Sequence, residues 1–431
     1  MTEPHEEPRS GTSSPTAASP ALARLVGMPA ADFADRVWSR GPLLTRGSDL
    51  PRDFTDLFGP DAVDELVARR ALRTPFARMA KDGATLADRT FTLGGGVGAG
   101  IADQLSEDRV LRELAGGATL VLQALHRSWA PVQDFAAALA DDLGHPVQVN
   151  AYVTPPQNQG FSDHYDVHDV FVLQVAGEKR WRIRPPVLEA PLRDQPWERQ
   201  RDAVERAAQA EPFLEETLRP GDCLYLPRGW LHSATALGGT SIHLTIGVHT
   251  WTRRHLVDAV LGRIGDRLTA DVEARRSLPL APGTSDGSEV AFGDDAEVVR
   301  SLVAKALQDL GVDEVVEALR PQVRAAQRAE PLRVLDQVER ATRDERATGD
   351  ERVTRDTTTW RPRRHLAAHW EDAGDTLVLV SRVGRLEVSP DERDAVAEVL
   401  DGIRDAAGLD PALRRRLALA GLLVPADVSG G

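Results

Sequence analysis

Residues 150–186 read NAYVTPPQNQGFSDHYDVHDVFVLQVAGEKRWRIRPP. His164 and Asp166 stand two apart in what reads as a β-strand, and side chains at i and i+2 of a strand point to the same face. An imidazole nitrogen and a carboxylate oxygen then converge on one point and can hold two positions of a divalent metal. The best source of a third ligand is GDCLYLPRGWLH, Gly221 to His232. Its spacing predicts a strand, a sharp turn at Pro227–Gly229, and a histidine entering the next strand. Two histidines and one carboxylate make the donor set of non-haem Fe(II) oxygenases, which leaves coordination positions open for co-substrate and O2.

Lys179 follows in GEKRWRI. Lys179, Trp181 and Ile183 alternate with Arg180, Arg182 and Arg184, and the apolar partners mark the lysine's face as the inner one. An unpaired ammonium inside a barrel costs several kcal/mol. Lys179 therefore calls for an anion, and the far carboxylate of 2-oxoglutarate is a good candidate.

With these residues on the page, the stretch resembles the ribosomal oxygenases, a JmjC-type branch of the Fe(II)/2-oxoglutarate oxygenases in the cupin superfamily. The elements N-x-Y-x-T-P-P, G-F-x-x-H-x-D-x-x-D-x-F-x-L-Q, W-R and P-R-G-x-x-H stand at Asn150–Pro156, Gly160–Gln174, Trp181-Arg182 and Pro227–His232. The resemblance implies that His164, Asp166 and His232 hold iron, and that Lys179 holds the 2-oxoglutarate C5 carboxylate. It also places Asn150 and Tyr152 near the co-substrate and substrate, with Thr245 a weaker candidate of the same kind. The family often has Ser where Gly247 stands.

The implied fold is α+β: a double-stranded β-helix (cupin/JmjC jelly-roll barrel) with N-terminal helices, a C-terminal helical dimerisation region and a small winged-helix-like domain. The implied activity is hydroxylation of a His or Arg side chain in a ribosomal protein, with Fe(II), 2-oxoglutarate and O2. Lys at position 179 leans toward histidine. Two other classes compete: an oxygenase acting on a small metabolite or natural-product peptide, and a non-catalytic cupin-like binding module. The intact triad with Lys179 speaks against the second. The long C-terminal regions, which a small substrate does not need, speak against the first.

Composition sets outer limits. The 431 residues allow two or three domains, and a formal net charge of −14 suits basic partners rather than broad DNA binding. The single cysteine, Cys223, excludes a disulfide framework, and its apolar strand CLYL makes it a buried structural thiol. No apolar run is long enough to span a membrane, and the N-terminus lacks an apolar signal core, so a cytoplasmic location is expected.

Taken in order, residues 1–20 read as a disordered tail. Residues 21–252 form the catalytic barrel with a helical lead-in to about Leu72. RTPFARMAKDG (73–83), ATLVLQAL (118–125), VQVNAYVT (147–154) and TSIHLTIGVHTW (240–251) are strands, and Pro131–Leu143 is an amphipathic helix. GGGVGAG (94–100) lacks the Lys-Ser/Thr of a phosphate loop and reads as a plain loop. Residues 185–219 look like a polar excursion. Residues 253–345 are helical, with a stripe at Leu256, Val257, Val260, Leu261, Ile264 and Leu268 that suits either an intramolecular helix pair or a dimer interface; the family resemblance implies a homodimer. Residues 341–356 read as a helix end or linker. Residues 357–431 carry a hairpin and two capped helices, and Arg414–Arg416 is explained by a solvated helix face, so no direct DNA binding is expected.

Single residues are weighed in the same way. Four residues of strand would separate His168 from His164 by about 13 Å, too far for one ion. Asp169 has opposite parity to Asp166 and reads as structural. His243 is the rival third ligand, set behind His232 by the Pro-Arg-Gly-Trp turn.

Overall fold

The computed structural model describes residues 20–81, 83–156, 158, 161–278, 293–342, 358–372, 374 and 376–426. Nearly all of the expected tail, the Pro/Gly/Ser stretch from residue 279 and most of 341–356 lie outside them. The chain divides into two compact units, residues 1–250 and 251–431.

The first unit is built on one antiparallel sheet. Its strands are β1 (Leu43–Thr45), β2 (Ala77–Lys81), β3 (Ala84–Thr85), β6 (Thr119–Leu122), β7 (Val147–Thr154), β8 (Asp169–Arg184), β9 (Leu214–Leu218), β10 (Cys223–Leu226) and β11 (Leu231–Val248). A separate small pair, β4 (Thr92–Leu93) and β5 (Gln104–Leu105), stands apart. The order is β1-β10-β8-β11-β7-β6-β2-β3, with β9 beside β8. Strands β8 and β11 run 16 and 18 residues and pair over most of their length, so each serves both halves of a double-stranded β-helix. A register shift between Leu237 and Ile242 breaks the ladder. Gly177 lies against it at φ +64°, where a Cβ would come within 2.3 Å of the Thr240 carbonyl oxygen.

Alternation along the strands supplies two cores. Phe171, Leu173 and Val175 pack outward with Phe33, Leu66 and Leu139 of the helices Ala30–Arg36, Pro60–Arg69 and Ala130–Leu143. Val170, Val172, Trp181 and Ile183 pack on the opposite face with Leu218, Leu224 and Leu226. The sheet is thus buried on both faces, and its interior-facing residues are the ones that can wall a cavity.

Three expectations need correction. Residues 162–168, which hold His164 and Asp166, are not strand; β8 begins at Asp169, and His164 makes only an isolated bridge to His232. The polar excursion contains a helix, Arg201–Ala208, and a paired strand, β9. β9 shows no apolar alternation because its Glu215 and Glu216 pair with Arg182 and Arg46 at 3.1 and 2.7 Å. The helical lead-in also contributes a strand, β1, which pairs with β10.

In the second unit, helices Arg253–Ala270, Gly293–Gln308 and Val312–Ala325 are followed by Val334–Ala341. A sheet of His369–Asp372, Leu377–Ser381 and Gly384–Val388 and a strand pair, Trp360–Pro362 with Leu423–Pro425, join helices Pro390–Leu400 and Pro411–Leu419. The Ser389 N–H donates to Glu392 at 3.1 Å, and Asp410 accepts from Ala412 and Leu413, which caps both helices. Gln337 donates to the Ala418 and Leu423 carbonyls, so helix Val334–Ala341 packs with this C-terminal core.

Candidate metal and co-substrate site

The turn at Pro227–Gly229 determines where His232 goes. Gly229 has φ +89°, and a Cβ there would fall 2.6 Å from the Leu188 carbonyl oxygen. Its N–H donates to the Asp166 carbonyl at 3.0 Å. Just beyond, His232 N donates to the His164 carbonyl at 2.8 Å, and His164 N donates to the His232 carbonyl at 3.2 Å. Backbone bonding therefore clamps the two histidines side by side, with ring centroids 4.4 Å apart and planes inclined at 55°.

Each ring is also oriented from behind. His164 Nδ1 lies 2.7 Å from the Ser162 carbonyl and His232 Nδ1 lies 3.1 Å from the Trp230 carbonyl. A carbonyl only accepts, so each Nδ1 carries a proton, and in the neutral ring the Nε2 lone pair is then the one free for a metal. Asp166 Oδ2 is 3.8 Å from His232 Nε2, and ligand atoms of His164, Asp166 and His232 all lie within 4.8 Å of one another. Burial, with the neighbouring His164, pushes His232 down to about 4. For Asp166 burial acts to raise the pKa, but His168, His232, His164 and Arg78 outweigh it and hold the carboxyl below its ordinary value. A neutral His232 and an ionised Asp166 are the forms that bind a divalent ion without first losing protons. The loop ahead of His164 is fixed by an ion pair between buried Arg184 and Asp163 at 2.7 Å.

Asp169 is placed elsewhere. It is fully buried and accepts from the Tyr225 hydroxyl at 2.6 Å and the Arg228 N–H at 3.0 Å. It ties β10 and the turn to the start of β8. His243 is also outside the cluster. It stacks on Tyr152 at 4.9 Å and 7° and meets the edge of Trp181 at 5.5 Å. Burial first, then Lys179, pushes its pKa well below the ordinary value, which makes it a neutral wall residue.

The cluster opens into a cavity of about 440 Å³ whose walls include Tyr152, Lys179, Trp181, His243 and Thr245. Lys179 is 4% exposed, and its Nζ donates to Thr154 Oγ1 at 3.1 Å. Burial pushes it down to about 7. Tyr152 and Thr245 reach the cavity, but Asn150 is not among its lining residues. The Asn150 Oδ1 accepts from the Ala124 N–H at 3.0 Å, and its strand partner Thr245 lines the cavity. Gly247 lies under His168, whose Cε1 would be 2.8 Å from a Cβ, so a larger residue there requires His168 to move. Arg78 escaped the sequence reading. It lines the cavity, with its guanidinium 5.1 Å over the Phe161 ring. Only the polar residue inside RTPFARMAK could have hinted at it.

Comparison with known proteins bears on this geometry. The JmjC domain family matches residues 127–256. "Ribosomal oxygenase 1" of Rattus norvegicus is 36% identical over 200 residues, 43% of this chain and 32% of that protein. The "Bifunctional lysine-specific demethylase and histidyl-hydroxylase NO66" of Drosophila persimilis is 43% identical over 140 residues, 31% of this chain and 19% of that protein. The chain thus aligns with a third or less of these relatives' length. Among solved structures, Escherichia coli ribosomal oxygenase YcfD matches with a TM-score of 0.54 at 17% identity, over 92% of this chain and 98% of that one. A further structure of YcfD, in complex with cobalt and 2-oxoglutarate, matches with the same TM-score and identity.

Proposed function

We propose that this chain, which carries a JmjC domain and the fold of a ribosomal oxygenase, is an Fe(II)- and 2-oxoglutarate-dependent protein hydroxylase. The observation that carries the reading is one cavity with two complementary features. A His-Asp-His donor set sits in it, and a buried lysine, Lys179, also lines it. The donor set suits Fe(II). The lysine suits a carboxylate at the far end of a short dicarboxylate that chelates through its other end. Relatives named ribosomal oxygenase and histidyl-hydroxylase, and the YcfD structure with cobalt and 2-oxoglutarate, support the same assignment.

When bound, iron with 2-oxoglutarate and O2 supplies the oxidation: the co-substrate leaves as succinate and CO2, and one oxygen atom enters a substrate C–H bond. His164, Asp166 and His232 would hold the ion. The Ser162 and Trp230 carbonyls fix the two rings. Lys179, steadied by Thr154, would orient the co-substrate. Trp181, His243 and Tyr152 form a wall that keeps water out.

The proposed substrate is a His or Arg side chain of a ribosomal protein, or of another basic protein. The net charge of −14 favours such partners. Direct DNA binding is not part of the proposal: within Arg414–Arg416, Arg416 is paired with Glu392 at 2.7 Å. No helix among the described residues is long and apolar enough to cross a membrane. We place the protein in the cytoplasm, as a homodimer. Two measurements test the function: succinate release that requires both iron and a ribosomal protein, and intact masses of ribosomal proteins from cells with and without the gene. A gain of about 16 Da names the target. No succinate and no mass difference across the ribosomal proteins overturns it.

A further inference from the structure

We propose that Arg78 is a specificity-determining residue, which favours a neutral imidazole over a guanidinium at the reacting position; this rests on the hydroxylase reading above. Histidines aside, four acidic or basic side chains line the cavity among the described residues: Arg78, Asp166, Lys179 and Glu198. Asp166 belongs to the metal cluster. Lys179 donates to Thr154, in the part of the wall assigned to the co-substrate. Arg78 and Glu198 are left to meet a substrate.

Their positions differ. The Arg78 guanidinium stacks over Phe161 at 5.1 Å, and the Phe161 ring lies 6.1 Å from that of His164 and 6.3 Å from that of Tyr152. Arg78 is therefore one ring away from a metal ligand. Its charge acts on both Asp166 and Tyr152. Glu198 sits on the exposed turn Trp197–Gln200, where its charge acts on Tyr165. Arg78 thus places a cation beside the metal cluster, while the acid stands on the exposed rim.

The chemistry follows from that placement. A guanidinium has donors only, so it cannot bond to Arg78, and two like charges side by side repel. A neutral imidazole offers one lone pair, which the Arg78 N–H groups or the Tyr152 hydroxyl can meet. Glu198 at the rim suits basic residues flanking the target, as a ribosomal protein would present.

The test uses the full-length protein and the ribosomal peptide named by the mass comparison. Arg78→Met keeps an unbranched stem over Phe161 and removes the charge. Wild type should hydroxylate a histidine, and the peptide with that histidine replaced by arginine should fall about 100-fold or more in kcat/KM. In Arg78→Met that ratio should narrow roughly tenfold. Equilibrium binding of the histidine peptide to Mn(II)- and 2-oxoglutarate-loaded protein should weaken, with 2-oxoglutarate affinity held. A hydroxylated arginine in the wild-type target overturns the inference and leaves the hydroxylase reading standing. So does an unchanged ratio in Arg78→Met, or a parallel loss of 2-oxoglutarate affinity. Absence of any hydroxylation overturns both.

Discussion

Lys179 carries a charge whose presence depends on what is bound. Burial lowers its pKa from 10.5 to about 7. Between those values the unfolded chain binds a proton that the folded chain does not, so this group makes stability rise with pH from about 7 to 10.5. A dicarboxylate beside the amine restores the proton. Calorimetric titration of Mn(II)-loaded protein with 2-oxoglutarate, in buffers of different ionisation enthalpy, should show uptake approaching one proton at about pH 8 and little at about pH 6. Lys179→Ala should remove that uptake and weaken binding by roughly 30-fold or more, a loss of about 2–5 kcal/mol. Unchanged affinity in the variant would detach the lysine from the co-substrate. The two aspartates offer a second contrast. Asp166→Ala removes a cluster ligand and should lose metal. Asp169→Ala strands the Tyr225 hydroxyl and the Arg228 N–H, and should cost about 3–5 kcal/mol while keeping metal. Metal analysis and thermal melts of both proteins decide it; metal retained in Asp166→Ala and lost in Asp169→Ala reverses the roles.

At the scale of elements, the turn before His232 is the most exacting piece of backbone. Gly229→Ala adds a Cβ at φ +89°, 2.6 Å from the Leu188 carbonyl oxygen. It should cost about 2 kcal/mol or more and displace His232, lowering both Tm and metal content. Gly239→Ala, with nothing within 4 Å of its Cβ, is the control; equal melts and equal metal in the two variants would remove the turn from the argument. This turn was legible in the sequence because Pro, Gly and His stand close together in the chain. Strand β7 was legible for a related reason: apolar alternation marks Val147–Thr154 from end to end. What was not legible depended on partners far along the chain. β9 is a row of charges until its glutamates find Arg46 and Arg182. The segment around Asp166 imitates a strand by pattern, yet bridges His232 at one point only. The bond from the Ala124 N–H to Asn150 joins residues 26 apart, which no local pattern reveals. Arg78 reaches the site only because β2 pairs with β6 and β6 with β7. No local motif announces that sheet order.

For the whole molecule, the apolar residues of the second unit raise the question of a partner. Leu256, Val257 and Leu261 on helix Arg253–Ala270 are 44%, 47% and 57% exposed, whereas Ile264 of the same stripe is buried. Val298, Val299 and Leu307 on helix Gly293–Gln308 are 43%, 51% and 52% exposed. Burying a fully exposed side chain of this kind gains about 1.5–3 kcal/mol, and each of these has roughly half of that left to gain. A stable homodimer needs about 1,200–2,000 Å² of buried surface, and two helices of this kind from each chain are suited to provide it. Light scattering on the full-length protein at micromolar concentration should therefore give twice the chain mass. Val257→Glu with Leu261→Glu places two charges in the apolar stripe and should yield monomers. The same variant should keep its metal, because His164, Asp166 and His232 all lie in the first unit. A wild-type monomer would end the proposal outright. A dimer that survives both glutamates would move the interface to another surface, because a charge pair buried without partners at such a contact costs several kcal/mol.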